Sequence, residues 1–137
     1  MTEPLNHHAA LIYVMVASSG VDHAMTHDEF ARIGEIVSNL PVFADCDKNG
    51  LVETAEACGD ILSADSGLQQ VLRLVREALP EKLRETAYAV ALEVAAADRR
   101  LRPEEKRFLD MLGDALELDR TTTAAIERGI RARNMTL

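Results

Sequence analysis

Two kinds of acidic arrangement in this 137-residue chain have the residue types and spacing to hold a hard cation. The first is a single stretch, DCDKNGLVETAE, from Asp45 to Glu56. Asp45, Asp47 and Asn49 fall at positions one, three and five of a twelve-residue calcium loop, with Gly50 at its sharp turn. Leu51 would lend a backbone carbonyl, Glu53 would serve at position nine, and Glu56 would close the site with two oxygens. The second arrangement occurs twice: Asp22 with Asp28 and Glu29, and Asp98 with Glu104 and Glu105. Oxygen ligands gathered at a turn suit Ca²⁺ or Mg²⁺. Both arrangements also have a purely structural reading. Acids in a first helical turn complement the helix dipole, and an Asp at a turn can satisfy backbone N–H groups.

The elements that must position these acids are helices. Apolar residues recur at spacings of three and four throughout, which predicts helices over about 5–19, 26–39, 49–63, 66–79, 81–97, 103–117 and 120–133. No period-two run of strand length is present, so the expected fold class is all-α: one compact domain of about seven helices spanning 1–137. Phe30, Ile33, Val37 and Leu40 line one face of the second helix, and Leu68, Val71, Leu72, Val75 and Leu79 one face of the fourth. Phe108, Leu112, Ala115 and Leu116 do the same in the sixth. Tyr88, Val90, Ala91, Val94 and Ala95 are expected in the core. Thr26 followed by Glu29 reads as a capping box, and Pro103 stands at a first helical position.

An internal repeat sets the two acidic turns in correspondence. ASSGVDHAMTHDEFARI (17–33) lies over EVAAADRRLRPEEKRFL (93–109), so that Asp22 falls on Asp98, Asp28 on Glu104 and Glu29 on Glu105. Each copy is an apolar helix ending in Asp, a short turn with one apolar residue expected to be buried (Met25 or Leu101), then an acidic helix start. The copies cover about 5–40 and 81–117, with the middle helices at about 49–79. Two such helical hairpins are expected to pack about a pseudo-twofold axis.

The segment LRETAYAVALEVAAADRRLRPEEKRFLDML, together with the weaker copy YVMVASSGVDHAMTHDEFARI, resembles the TerB family of tellurite-resistance proteins over nearly the whole chain. The resemblance implies a helical domain of bacterial tellurite and stress-response systems, working with protein partners near the inner membrane. It also implies acidic residues that bind a divalent metal, and no catalytic activity. Where that family usually has Gly after each Asp, this chain has His23 and Arg99.

In the calcium-like stretch, Pro41 stands four residues ahead of Asp45, where an entering helix would lose a hydrogen bond. Beyond Glu56, Ala57 and Asp60 fall where the exiting helix would need apolar residues, and Gly59 weakens that helix. The competing expectation is a connector in which Asp47 or Asn49 caps a helix, with Glu53 and Glu56 on its exposed face.

Charge narrows the function classes further. The formal net charge of −8 argues against nucleic acid as a partner. Residues 1–72 carry eleven acids against two bases, Arg32 and Lys48, while 73–137 carry thirteen bases against twelve acids. Arg99, Arg100, Arg102, Lys106 and Arg107, with Arg128, Arg131 and Arg133, could meet an acidic partner or an anionic membrane, or could be solvated and paired with acids at helical spacing. His7 and His8 are expected on different sides of their helix, and no Cys or His set has zinc spacing. Ser18 and Ser19 form no nucleophile elbow, and Cys46 has no nearby His in a catalytic arrangement, so an enzyme is not expected. Cys46 and Cys58 are too few for a disulfide scaffold. The apolar run Ala9 to Val21 covers 13 residues, too short for a bilayer, and the start lacks a basic signal region. A cytoplasmic location follows, with peripheral contact at the inner membrane as a further expectation.

Overall fold

Apolar residues surround the segment after His8 on every side, and a helix of that kind is stable only in an interior. The computed structural model, which describes residues 5–20, 26–96 and 101–137, places it there. Helix α1 (His7–Gly20) runs through the middle, with every side chain from Ala10 to Ala17 buried. Its principal neighbour is α5 (Arg84–Ala95), likewise buried on most sides, including Tyr88, Val90, Ala91, Val94 and Ala95. Ser18 fastens the two: its hydroxyl donates to the Ala91 carbonyl at 2.9 Å with no exposure to water. A buried hydroxyl without an acceptor would be costly, so this bond helps fix the register of the central pair.

The other helices cover that pair. α3 (Leu51–Leu62) and α4 (Gly67–Ala78) pack on α1 and on each other. α4 buries Val71, Leu72 and Val75, with Leu79 just beyond its end, while Leu68 is half-buried. Each fully buried side chain of this size contributes about 1.5–3 kcal/mol, so a charge at Val75 would break the contact. α2 (His27–Asn39) and α6 (Pro103–Ala115) each touch both α1 and α5. α2 buries Ile33 and Val37; α6 buries Phe108, Leu109 and Leu112, with Leu116 at its end. α7 (Arg120–Arg133) packs chiefly on α5, and Ile130 is its buried anchor.

Among the described residues there are seven α-helices and no strand, as the periodicity predicts. The repeat reappears in the bounds of the helices. α2 and α6 are both 13 residues long and start at positions 27 and 103, the spacing read from the sequence. One detail of the turn differs from expectation: Leu101 is 43% exposed, because it precedes α6 on the outside of the bundle rather than under it. Met25, its counterpart, lies outside the described residues. No described helix is long and apolar enough to cross a membrane.

Candidate functional site

The first acidic turn is built by the start of α2. Thr26 has extended backbone, and its hydroxyl accepts the Glu29 N–H at 3.1 Å. Glu29 answers by accepting the Thr26 N–H on Oε1 at 2.9 Å, closing the capping box that the sequence predicts. The burial of Glu29 is not predicted by that motif: the residue is 0% exposed. Its second oxygen, Oε2, is buried and finds no hydrogen-bond partner among the described residues. An unsatisfied buried acceptor costs about 1–3 kcal/mol, more when charged. Asp28, next to it, is exposed, and Asp22 lies outside the described residues.

The second turn repeats half of this device. Glu105, 1% exposed, accepts the Arg102 N–H on Oε1 at 3.0 Å. Arg102 occupies the cap position, but a guanidinium has no acceptor, so the reciprocal bond of the box cannot form there. Pro103 follows at the first helical position, as expected. Glu104 is exposed, and Asp98 lies outside the described residues. The repeat thus brings Glu29 and Glu105 to matching helical positions with matching burial. Neither Asp28 nor Glu104 shares that burial.

The calcium-like stretch takes another form. No α-helix enters it: Pro41–Phe43 forms a 3₁₀ turn, Lys48–Gly50 a second, and α3 starts at Leu51. Asp47 caps the second turn by accepting the Asn49 N–H at 3.0 Å, which is the capping role expected for it, although it serves the 3₁₀ turn rather than α3 itself. Gly50 precedes α3 without a side-chain cap. Asp45 lies 3.2 Å from His8 Nε2, and Glu53 and Glu56 are exposed on α3. Among the described residues, no group of three or more His, Cys, Asp or Glu stands close enough to hold a metal ion.

His8 does structural work here. Its Nε2 donates to the Val42 carbonyl at 2.8 Å, and its ring stacks on Phe43, joining the start of α1 to the Pro41–Phe43 turn. His7 does not sit on a separate side; the two ring centroids are 4.1 Å apart. Neither cysteine is activated. Burial pushes the Cys58 thiol up to about 12, and burial, followed by Asp47 and Asp45, raises Cys46. A thiol held neutral is a poor nucleophile at neutral pH.

Two buried polar features escaped the sequence reading. Tyr88, 1% exposed, donates its phenol to Glu127 Oε1 at 2.6 Å, and burial, reinforced by that carboxylate, pushes its ionisation upward. Glu93, 8% exposed, accepts from Arg133 at 2.5 Å, so Arg133 reaches across to α5. Both contacts join residues about 40 positions apart, beyond any helical-spacing rule.

These features define an all-α domain whose two acidic helix starts are each closed by a buried glutamate. The family model described as tellurite resistance protein TerB matches residues 8–128, and the chain belongs to that family. The match takes in both acidic turns and the calcium-like stretch, and ends inside α7. No curated protein and no solved structure matches the chain.

Proposed function

We propose that this TerB-family chain is a non-enzymatic binding or scaffold module, associated with tellurite resistance or a related stress response. In this reading the N-terminal turn takes a divalent cation, Ca²⁺ or Mg²⁺, through Asp22, Asp28 and Glu29. The observation that carries it is the buried Glu29 Oε2, which has no hydrogen-bond partner among the described residues and sits in the acidic half of the chain. A carboxylate oxygen with no hydrogen bond keeps its lone pairs open to a hard cation, which takes oxygen ligands. In the second turn, Asp98, Glu104 and Glu105 share their segment with Arg99, Arg100 and Arg102. A unit charge at ~4 Å opposes a cation by roughly 4 kcal/mol at an effective dielectric of about 20. The N-terminal turn is therefore the tighter site.

The module works through a protein partner in the cytoplasm, with peripheral contact to an anionic membrane through the basic second half. The exposure of Lys106, Arg107, Arg128 and Arg131 supports that contact. Titration calorimetry with Ca²⁺ and Mg²⁺ tests the cation site. The heat should persist in Glu56→Gln and disappear in Glu29→Gln and Asp22→Asn. Binding lost in Glu56→Gln but kept in Asp22→Asn would instead establish a calcium-responsive switch on Asp45–Glu56.

A further inference from the structure

Helix α7 lies on α5 without closing against α2, and the gap is a cleft of about 700 Å³. Its apolar walls include Ile36 on α2, Leu40 just past the end of that helix, Val90 on α5 and Ile130 on α7. A cleft of this size with apolar walls and few polar groups is the common form of a small-molecule site. Arg32, Glu35, Asn39, Thr86 and Arg133 also line the cleft, and the buried polar group among them is Glu93, at 8% exposure in the wall from α5. The fold of the helix pair does not require it, because the matching position of the first copy is Ala17, fully buried.

Glu93 is held by Arg133, in the last turn of α7, whose side chain is 72% exposed. A flexible cation tethered at a helix end and largely in water is an exchangeable partner: it neutralises the carboxylate, and water takes it back at little cost. Removing it with no replacement would leave a buried charge unpaired, which is far less favourable. The other charged pair in the cleft, Arg32 with Glu35 at 3.8 Å, is already self-neutralised. Once Arg133 turns out into water, Glu93 is the buried charge left without its partner in the cleft, and the head group that pairs with it must be a cation. Ile130 and Arg133 both lie beyond the family-matched segment 8–128.

We propose that the cleft binds a small organic cation with an apolar body, an alkylguanidinium or alkylammonium, whose head replaces Arg133 on Glu93. Its chain lies on Ile36, Leu40, Val90 and Ile130, and Arg133 is the intramolecular competitor that keeps the site closed without ligand.

The test is an NMR titration of the full chain with n-octylguanidinium below its aggregation concentration. 1-Octanol serves as the uncharged control and n-octyl sulfate as the anionic one. Octylguanidinium should give saturable shifts at Ile36, Val90 and Ile130, and octyl sulfate none. Glu93→Gln should weaken binding about tenfold, whereas Arg133→Ala should tighten it by removing the competitor. Equal binding of octanol and octylguanidinium would overturn the proposal. So would affinity unchanged in Glu93→Gln, weaker binding in Arg133→Ala, or no saturable shift in either the native chain or Arg133→Ala. Arg133 is exposed enough that its variant decides the matter should Glu93→Gln fail to fold.

Discussion

Glu29 and Glu105 stand 76 positions apart, and each is the buried third residue of a 13-residue helix, accepting the N–H of its cap residue on one carboxylate oxygen. The caps differ. Thr26 returns the bond through its hydroxyl, whereas the Arg102 guanidinium has no acceptor with which to do so.

That difference predicts how the first turn responds to substitution. Thr26→Ala should cost about 1 kcal/mol through loss of the cap. Glu29→Ala should cost more, since it removes an acceptor and leaves a void. Glu29→Gln keeps an oxygen for the Thr26 N–H and discharges a buried site, so without metal it should unfold at the native urea midpoint or above. A Gln variant as damaged as the Ala variant would show that the charge itself supports the fold.

Gly67 separates backbone constraint from helix propensity. A Cβ there would stand 2.0 Å from the Ile61 carbonyl oxygen, at the corner between α3 and α4 where Ser66 has φ 58. Gly67→Ala should cost about 3 kcal/mol or more, as overpacking against backbone does. Gly129, inside α7, has open space around it. Gly129→Ala should stabilise by about 0.5–1 kcal/mol. Thermal or urea unfolding of the two variants checks the pair.

Alkaline stability follows from the buried thiol. Cys58 ionises at 9.0 in an unconstrained chain and is pushed up to about 12 in the fold. Because the folded value is raised, the stabilisation is complete below the ordinary value and is lost as pH rises toward the folded one. Between about pH 8 and about pH 10.5 the loss should be about 2 kcal/mol. Tyr13 and Tyr88, also raised by burial, act with the same sign. Cys58→Ala should be less stable at neutral pH but should show a shallower alkaline decline in urea denaturation.

The fold was largely legible because its signals are local. Period-3.6 apolar spacing places the helices, and Thr26, Glu29 and Pro103 mark two starts at the observed positions. The burial of Glu29 and Glu105 was not legible, since a capping box specifies bonds along the chain and not what packs over them. Leu101 misled for the related reason that an apolar residue in a turn carries no label for inside or outside. In the stretch 45–56 Pro41 and Gly59 already told against a ligand loop, and the 3₁₀ turns Pro41–Phe43 and Lys48–Gly50 stand in place of an entering helix. Glu93 with Arg133 and Tyr88 with Glu127 could not be paired from sequence, because only the seating of α7 on α5 brings them together.

A paramagnetic Mn²⁺ titration followed by NMR locates a bound cation directly. Broadening should centre on the amides of Thr26 to Glu29, with weaker effects near Glu104 and Glu105, and the first set should be lost in Glu29→Gln. Broadening centred on Asp45 to Glu56, or on Glu104 and Glu105, would contradict that placement.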